Sequence, residues 1–292
     1  MKIALYGKSI PDDAIGLINQ MIEYLHYSRV ELLICEPLQN RYAKVIPRLT
    51  AAATFGIHEC LKSRADILIS LGGDGTLLDT ISIVRDSGIP IMGINLGRMG
   101  FLSSISRSDI LPAIQHLLAG TYHISERSLL SLSTDPPMFG NMNFALNELT
   151  INKKDTSSMI LIRVYIDDVF LHAYLADGLI VSTPTGSTAY SLSCSGPILA
   201  PDSETFVITP IATHNLTVRP VVISDKSVIR ISAEGREGRH LVSLDSRAVM
   251  LTPDKELTIR KSDFRVKLVQ LQNSSFFSTL REKLGWGHDI RN

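Results

Sequence analysis

The feature that most narrows the possible folds is an apolar run, Ile67 to Leu71, that passes directly into Gly72-Gly73-Asp74-Gly75-Thr76 and then into a helix-like stretch. Strand, tight turn and helix start in that order belong to sheets whose strands run parallel and are covered by helices. The surrounding sequence repeats the theme. Lys2 to Tyr6 and Val30 to Cys35 read as earlier strands, and Ile89 to Ile94 as a later one. Ile15, Ile18, Met21, Ile22 and Leu25 recur at three- and four-residue spacing, which predicts a helix with one apolar face. Further helices are predicted from Leu77 to Asp86 and from Ser108 to Leu118, the second ended by Gly120.

Beyond residue 120 the pattern changes. Short strand-like runs follow one another, as in FALNELTIN, MILIRVYID, GLIVST, SVIRISAE, RHLVSLD and FRVKLVQLQ, with turn residues between them. Phe276 to Leu284 returns to helical spacing. The expected architecture is an α/β N-terminal domain with a parallel sheet plus a β-rich C-terminal domain, with a C-terminal helix packing back on the N-terminal domain. The expected boundaries are 1–120, 121–272 and 273–292. A chain of 292 residues, 45% hydrophobic, has enough apolar content for two cores.

Lys plus Arg and Asp plus Glu both number 29, so no overall basic field attracts nucleic acid or an anionic membrane. An anionic ligand must then be held by local geometry. Cys35, Cys60 and Cys194 lack metal-ligand spacing and read as three small buried thiols of a cytoplasmic protein. The segment MKIALYGKSIPDD has too short an apolar stretch for a secretory leader, and no later run approaches a membrane span. The histidines form no HxH or HExxH pattern, and a GxxxxGK[ST] loop is lacking, so any use of ATP must rest on something other than a Walker A lysine.

Three segments carry chemistry. In the first, the glycines of Gly72 to Thr76 let backbone approach a phosphate or ribose, and the helix start offers N–H donors. A carboxylate among them, Asp74, would repel a bare phosphate; it suits a hydroxyl to be oriented or a cation to be bridged. A glycine-rich turn capped by an Asp is the other reading. A carboxylate at a helix N-terminus is a weak base, which suits an orienting role with late proton acceptance. In the second, Asn147-Glu148 interrupts an apolar-rich strand. Successive strand residues face opposite ways, so both serve one ligand only at a strand end or bulge; a solvent-facing edge strand is the alternative. In the third, DGLIVSTPTGSTAYSLSCSGPI, small hydroxyl residues and glycines supply donors and Tyr190 a flat ring, or else a cap and a core tyrosine.

In combination these segments resemble the NAD kinase family along nearly the whole chain. The matching pieces are GGDGT at Gly72 to Thr76, GINLGRMGFL at Gly93 to Leu102, Asn147-Glu148, DGLIVSTPTGSTAYSLS at Asp177 to Ser193, and LGWG near the C-terminus. GGDGT alone also occurs in lipid kinases; the ordered downstream segments are far more selective. The resemblance implies the NAD kinase fold and transfer of the γ-phosphoryl group of ATP to the 2′-hydroxyl of the adenosine ribose of NAD, with Asp74 orienting that hydroxyl and accepting its proton. It further implies that Asp74 and Gly75 face the ribose and that Asn147 and Glu148 contact the adenosine portion. Asp177, Thr188, Ala189, Tyr190, Ser191, Leu192 and Ser193 would complete the dinucleotide site. A divalent cation, usually Mg²⁺, would accompany ATP, and a homodimer or homotetramer is implied. Competing readings are a lipid kinase sharing GGDGT and a non-catalytic module that senses NAD. The sequence departs from the family at Asp79, where a basic or small residue is more usual, and at Cys194-Ser195-Gly196, where Ala-Gly-Gly is more frequent.

Overall fold

Strand β1 (Lys2–Tyr6) is flanked by β2 (Glu31–Cys35) on one side and β4 (Ile67–Leu71) on the other, both parallel to it. The computed structural model describes residues 1–57, 59–97, 100–154, 158–235, 240–251, 255–271 and 275–286. Within them the chain forms two units, Met1–Glu126 with the chain from Val266 onward, and Arg127–Arg265.

In the first unit, helix α1 (Ile15–Tyr27) links β1 to β2, α2 (Glu36–Tyr42) leads toward the short strand β3 (Ala53–Phe55), α3 (Asp74–Val84) follows β4, and β5 (Ile91–Ile94) precedes α4 (Ile110–Leu118). The parallel order is β3-β2-β1-β4-β5. The α1 periodicity holds: Ile18, Met21, Ile22 and Leu25 are buried, and α1 packs beside α4, whose Ile110, Ala113, Ile114 and Leu117 are buried. All five residues of β4 are buried, as a strand covered on both faces requires.

Several local expectations shift. Helix α3 begins at Asp74, three residues before Leu77, so the glycine loop is shorter than the sequence suggests and Gly73 is the N-cap. Helix α2 and strand β3 have no clear periodic signature and were not expected. Of the cysteines only Cys35 is buried; Cys60 and Cys194 are half-buried, which corrects the expectation of three buried thiols.

The second unit is almost entirely antiparallel. Strand β6 (Tyr122–Ser133) enters it, followed by β7 (Phe144–Ala145), β8 (Glu148–Lys153), β9 (Ile160–Ile166), β10 (Val169–Ala176) and β11 (Gly178–Ser182). A short helix α5 (Tyr190–Ser193) precedes β12 (Thr205–Ile211), β13 (Val221–Ser224), β14 (Ile229–Glu234), β15 (His240–Leu244), β16 (Arg247–Leu251) and β17 (Leu257–Leu271). One sheet runs β13-β12-β11-β8-β15-β16, and β10, β9, β14 and the start of β17 pair in a second. Alternate residues of both sheets, among them Leu149, Ile151, Ile162, Val164, Leu179, Val181, Ile229 and Val242, share one core.

The end of β17 belongs to the first unit, where Leu268 lies opposite Ile91. Helix α6 (Phe276–Leu284), in the same unit, spans the predicted residues and is closed by a Ser275/Ser278 capping box and by Gly285 in the left-handed conformation. Arg98 and Met99 of GINLGRMGFL, Arg239 of RHLVSLD, Gln272 of FRVKLVQLQ and the last glycine of LGWG lie outside the described residues.

Candidate active site

In the first unit the strand order reverses direction of growth at β1, with β2 to one side and β4 to the other. In open α/β sheets that switch point, at the carboxyl ends of the strands, is where ligands bind. GGDGT stands there, at the end of β4 and the start of α3. Asp74 is the first residue of α3, and both oxygens of its carboxylate are engaged by the backbone of the following loop. Phe101 N–H donates to Oδ2 at 2.7 Å, while Leu102 and Ser103 N–H donate to Oδ1 at 3.1 and 2.9 Å. Three consecutive amides therefore fix the carboxylate. An ionised carboxylate accepts about four hydrogen bonds, so one acceptor position remains, on Oδ2. Gly75, in the next position, is exposed, and a Cβ there would meet nothing within 4 Å.

Asp79, one turn further along α3, pairs with Lys8 just beyond β1, Nζ to Oδ2 at 2.7 Å. The helix thus carries an anion at Asp79, and the neighbouring strand end supplies the cation that meets it.

In the second unit, Asn147 immediately precedes β8 and Glu148 is its first residue, so the two stand at a strand end, the arrangement that lets neighbours serve one ligand. Both are buried, and among the described residues Asn147 Oδ1 and Glu148 Oε2 have no hydrogen-bond partner. Orphaned buried polar atoms are costly unless something else satisfies them. Burial pushes the Glu148 carboxyl up to about 8, the charge of Asp245 adds to this, and the Tyr190 N–H draws it down. At neutral pH Glu148 therefore holds its proton.

Asp177, between β10 and β11, forms an ion pair with Lys153 at 2.5 Å. Tyr190, at the start of α5, is 40% exposed, enough to present a ring face. Its hydroxyl is pushed up by burial and by the nearby Cys194, Asp177 and Glu148, which places Glu148, Asp177 and Tyr190 in one cluster. Thr188 and Ala189 precede Tyr190 in the chain and are half-buried, with Leu192 and Ser193 in the following turn. Ser191 differs: it is buried, its hydroxyl bonds Thr209 Oγ1 at 2.9 Å, and it braces α5 against β12.

Sequence reasoning missed Lys8, Lys153 and Asp245, each of which acts through a contact distant in sequence. Arg247, left out of the predicted site, donates to the carbonyl oxygens of Met142 and Phe144 and lies over the Phe144 ring. No three His, Cys, Asp or Glu side chains converge as a metal site among the described residues.

Models of the ATP-NAD kinase N-terminal and C-terminal domains match residues 8–122 and 146–271. The chain is 42% identical over 292 residues to the NAD kinase of Cytophaga hutchinsonii and 44% identical over 295 residues to that of Flavobacterium johnsoniae, in both cases covering 100% of each chain. The crystal structure of yeast NADH kinase complexed with NADH shares the fold at a TM-score of 0.85 and 22% identity, covering 100% of this chain and 89% of that one. An NAD kinase from Archaeoglobus fulgidus in complex with ATP matches at a TM-score of 0.75 and 25% identity, covering 98% and 99% of the two chains. With both domain models matched in order and full-length relatives above two-fifths identity, this chain belongs to the NAD kinase family.

Proposed function

We propose that this protein transfers the γ-phosphoryl group of ATP to the 2′-hydroxyl of the adenosine ribose of NAD, giving NADP and ADP. As a member of the NAD kinase family it is a phosphotransferase acting on NAD. The observation that carries the assignment of Asp74 is its carboxylate, immobilised by three backbone N–H groups at the switch point with one acceptor position left on Oδ2. In that position it receives the hydrogen bond of the ribose hydroxyl and aims the oxygen at the γ-phosphorus. As the new O–P bond forms and the bond to ADP breaks, the hydroxyl proton passes to Asp74. The loose transition state of phosphoryl transfer asks for little deprotonation beforehand, so a carboxylate suffices.

The orphaned oxygens of Asn147 and Glu148 support contacts to the adenosine portion, with the protonated Glu148 donating as well as accepting. Asp177 and the Thr188 to Ser193 segment, with the Tyr190 ring, complete the NAD site in this reading, Ser191 by bracing rather than touching. The divalent cation, Mg²⁺, is assigned to the ATP substrate, because Mg²⁺ is usually held by substrate phosphates and waters with only one or two carboxylates. A cytoplasmic homo-oligomer is part of the same proposal; no helix among the described residues is long and apolar enough to cross a membrane.

The test incubates purified protein with NAD, ATP and Mg²⁺ and detects product with an NADP-specific dehydrogenase. Formation of NADP is expected, and its absence with every nucleotide donor and with polyphosphate overturns the proposal.

A further inference from the structure

Asp245 lies far in sequence from every residue the sequence offers as a site, yet it organises the segment that presents Asn147 and Glu148. It occupies the first position of the two-residue turn Asp245-Ser246 between β15 and β16, whose ladder closes with Leu244 opposite Arg247. Its φ of 51° is left-handed, a conformation that Asp tolerates in such hairpins. From there the side chain turns back on the neighbouring strand. Oδ2 accepts from Leu146 N–H at 2.9 Å, and Oδ1 accepts from Asn147 and Glu148 N–H at 2.8 and 3.3 Å. The backbone adds a fourth link, Asp245 N–H to the Glu148 carbonyl at 3.0 Å.

The opposite edge of the segment is held as well. Thr183 N–H donates to the Asn147 carbonyl at 2.9 Å and Thr183 Oγ1 to the Leu146 carbonyl at 2.5 Å. Residues 146–148 are thus gripped by their three amides and the Glu148 carbonyl from one side, and by the Leu146 and Asn147 carbonyls from the other. Among the described residues two side-chain oxygens of the segment, Asn147 Oδ1 and Glu148 Oε2, are left without hydrogen-bond partners, and both residues are more than nine-tenths buried. Asp245 is buried, and the nearest compensating cation is Arg247, which also clamps Met142 and Phe144 upstream of the segment.

Building on the proposed function, we propose that Asp245 is a positioning residue for NAD: it holds the backbone of 146–148 so that the Asn147 and Glu148 side chains both face the bound adenosine. A carboxylate turned onto three consecutive amides is the same device that fixes Asp74 in the other unit, used here on the ligand-presenting segment rather than on the reacting carboxylate.

The test is steady-state kinetics and direct NAD titration of the full-length protein. Asp245→Asn keeps the shape but replaces one accepting oxygen with a donor. It is expected to raise KM and Kd for NAD about tenfold, while kcat and KM for ATP stay within about threefold. It also removes the charge that helps raise the Glu148 carboxyl, so the alkaline inflection of NAD affinity moves to lower pH. In a Glu148→Gln background Asp245→Asn should leave no inflection to move, which separates positioning from general loss of structure. If Asp245→Asn yields no folded protein, Arg247→Gln is the second variant; it removes the cation beside Asp245 and the guanidinium bonds to the Met142 and Phe144 carbonyls just upstream of the segment, and is expected to raise KM for NAD with kcat retained. Unchanged NAD affinity and pH inflection in the folded variants, or an equal loss in kcat and in KM for ATP, overturns the inference. Wild-type protein that makes no NADP overturns the parent reading with it, whereas a wild type that makes NADP while Asp245→Asn binds NAD normally overturns this inference alone.

Discussion

Gly100 and Asp74 are packed so closely that a Cβ on Gly100 would fall 1.8 Å from Asp74 Oδ1. That distance is less than the sum of any two heavy-atom radii, and the carboxylate is itself tied to the amides of residues 101–103. Gly100→Ala must therefore expel the carboxylate or pull the amides away from it. Because the change lies at a loop position rather than inside a strand, the far-UV circular dichroism should be retained. The expected kcat falls about a hundredfold, the scale set by displacing one positioned acid–base group. A kcat near wild type in the folded variant would refute the idea that this loop fixes the reacting carboxylate.

Asp74→Asn tests the carboxylate itself. The amide oxygen can still accept from Leu102 and Ser103, but the NH₂ group opposes Phe101 N–H and cannot take up the hydroxyl proton. kcat should fall by about two or more orders of magnitude while NAD affinity changes little, since the variant loses an interaction used mainly in the transition state. Isothermal titration with NAD beside the coupled assay separates the two quantities. A protein that only sensed NAD would bind equally in both forms and turn over in neither.

Much of this was legible before any coordinates. The apolar spacing of α1 and the Ile67–Leu71 run specify a covered parallel strand because helix and strand periods leave different marks on a sequence. GGDGT advertised itself because only glycines let backbone and ligand approach so closely. Helix α2 and β3 were missed because a seven-residue helix and a three-residue edge strand are too short for periodicity to declare them. Asp245, and the role of Gly100 within GINLGRMGFL, escaped the sequence for a different reason. Each matters through a partner at a large sequence separation, Asn147 and Asp74 respectively, and a one-dimensional pattern holds no signal for that. The start of α3 at Asp74 shows the same limit, since a glycine-rich stretch reads as loop although its third residue already carries helical geometry.

Chelation separates a metal that arrives with ATP from one resident in the protein. Asp74 already accepts three N–H bonds, and substrate phosphates are the usual ligands of Mg²⁺. EDTA should then stop NADP formation and added Mg²⁺ restore it, while the Tm and NAD affinity of the nucleotide-free protein stay the same, because a ligand stabilises only the state it binds. A fall of several degrees in Tm on chelation would contradict the assignment of the cation to ATP.

The raised Glu148 carboxyl makes a prediction that does not depend on turnover. An unfolded-chain Glu titrates near ~4.3, whereas burial first, and the charge of Asp245 second, put the folded value at about 8. Between those values the native protein retains a proton that the unfolded chain has released. The stability this group contributes is thus complete below about pH 4.3 and is lost as pH rises to and through about 8. Glu148→Gln keeps a neutral side chain of similar size at every pH, so it should be immune to that loss. Measured as the difference in Tm between variant and wild type, which cancels the titration of groups common to both, the variant should gain steadily from about pH 5 to about pH 9. Over the same range wild-type NAD affinity should weaken above about pH 8, where Glu148 ceases to donate. A Tm difference that is flat with pH would mean that Glu148 ionises normally in the folded protein, and the donor role assigned to it would fall.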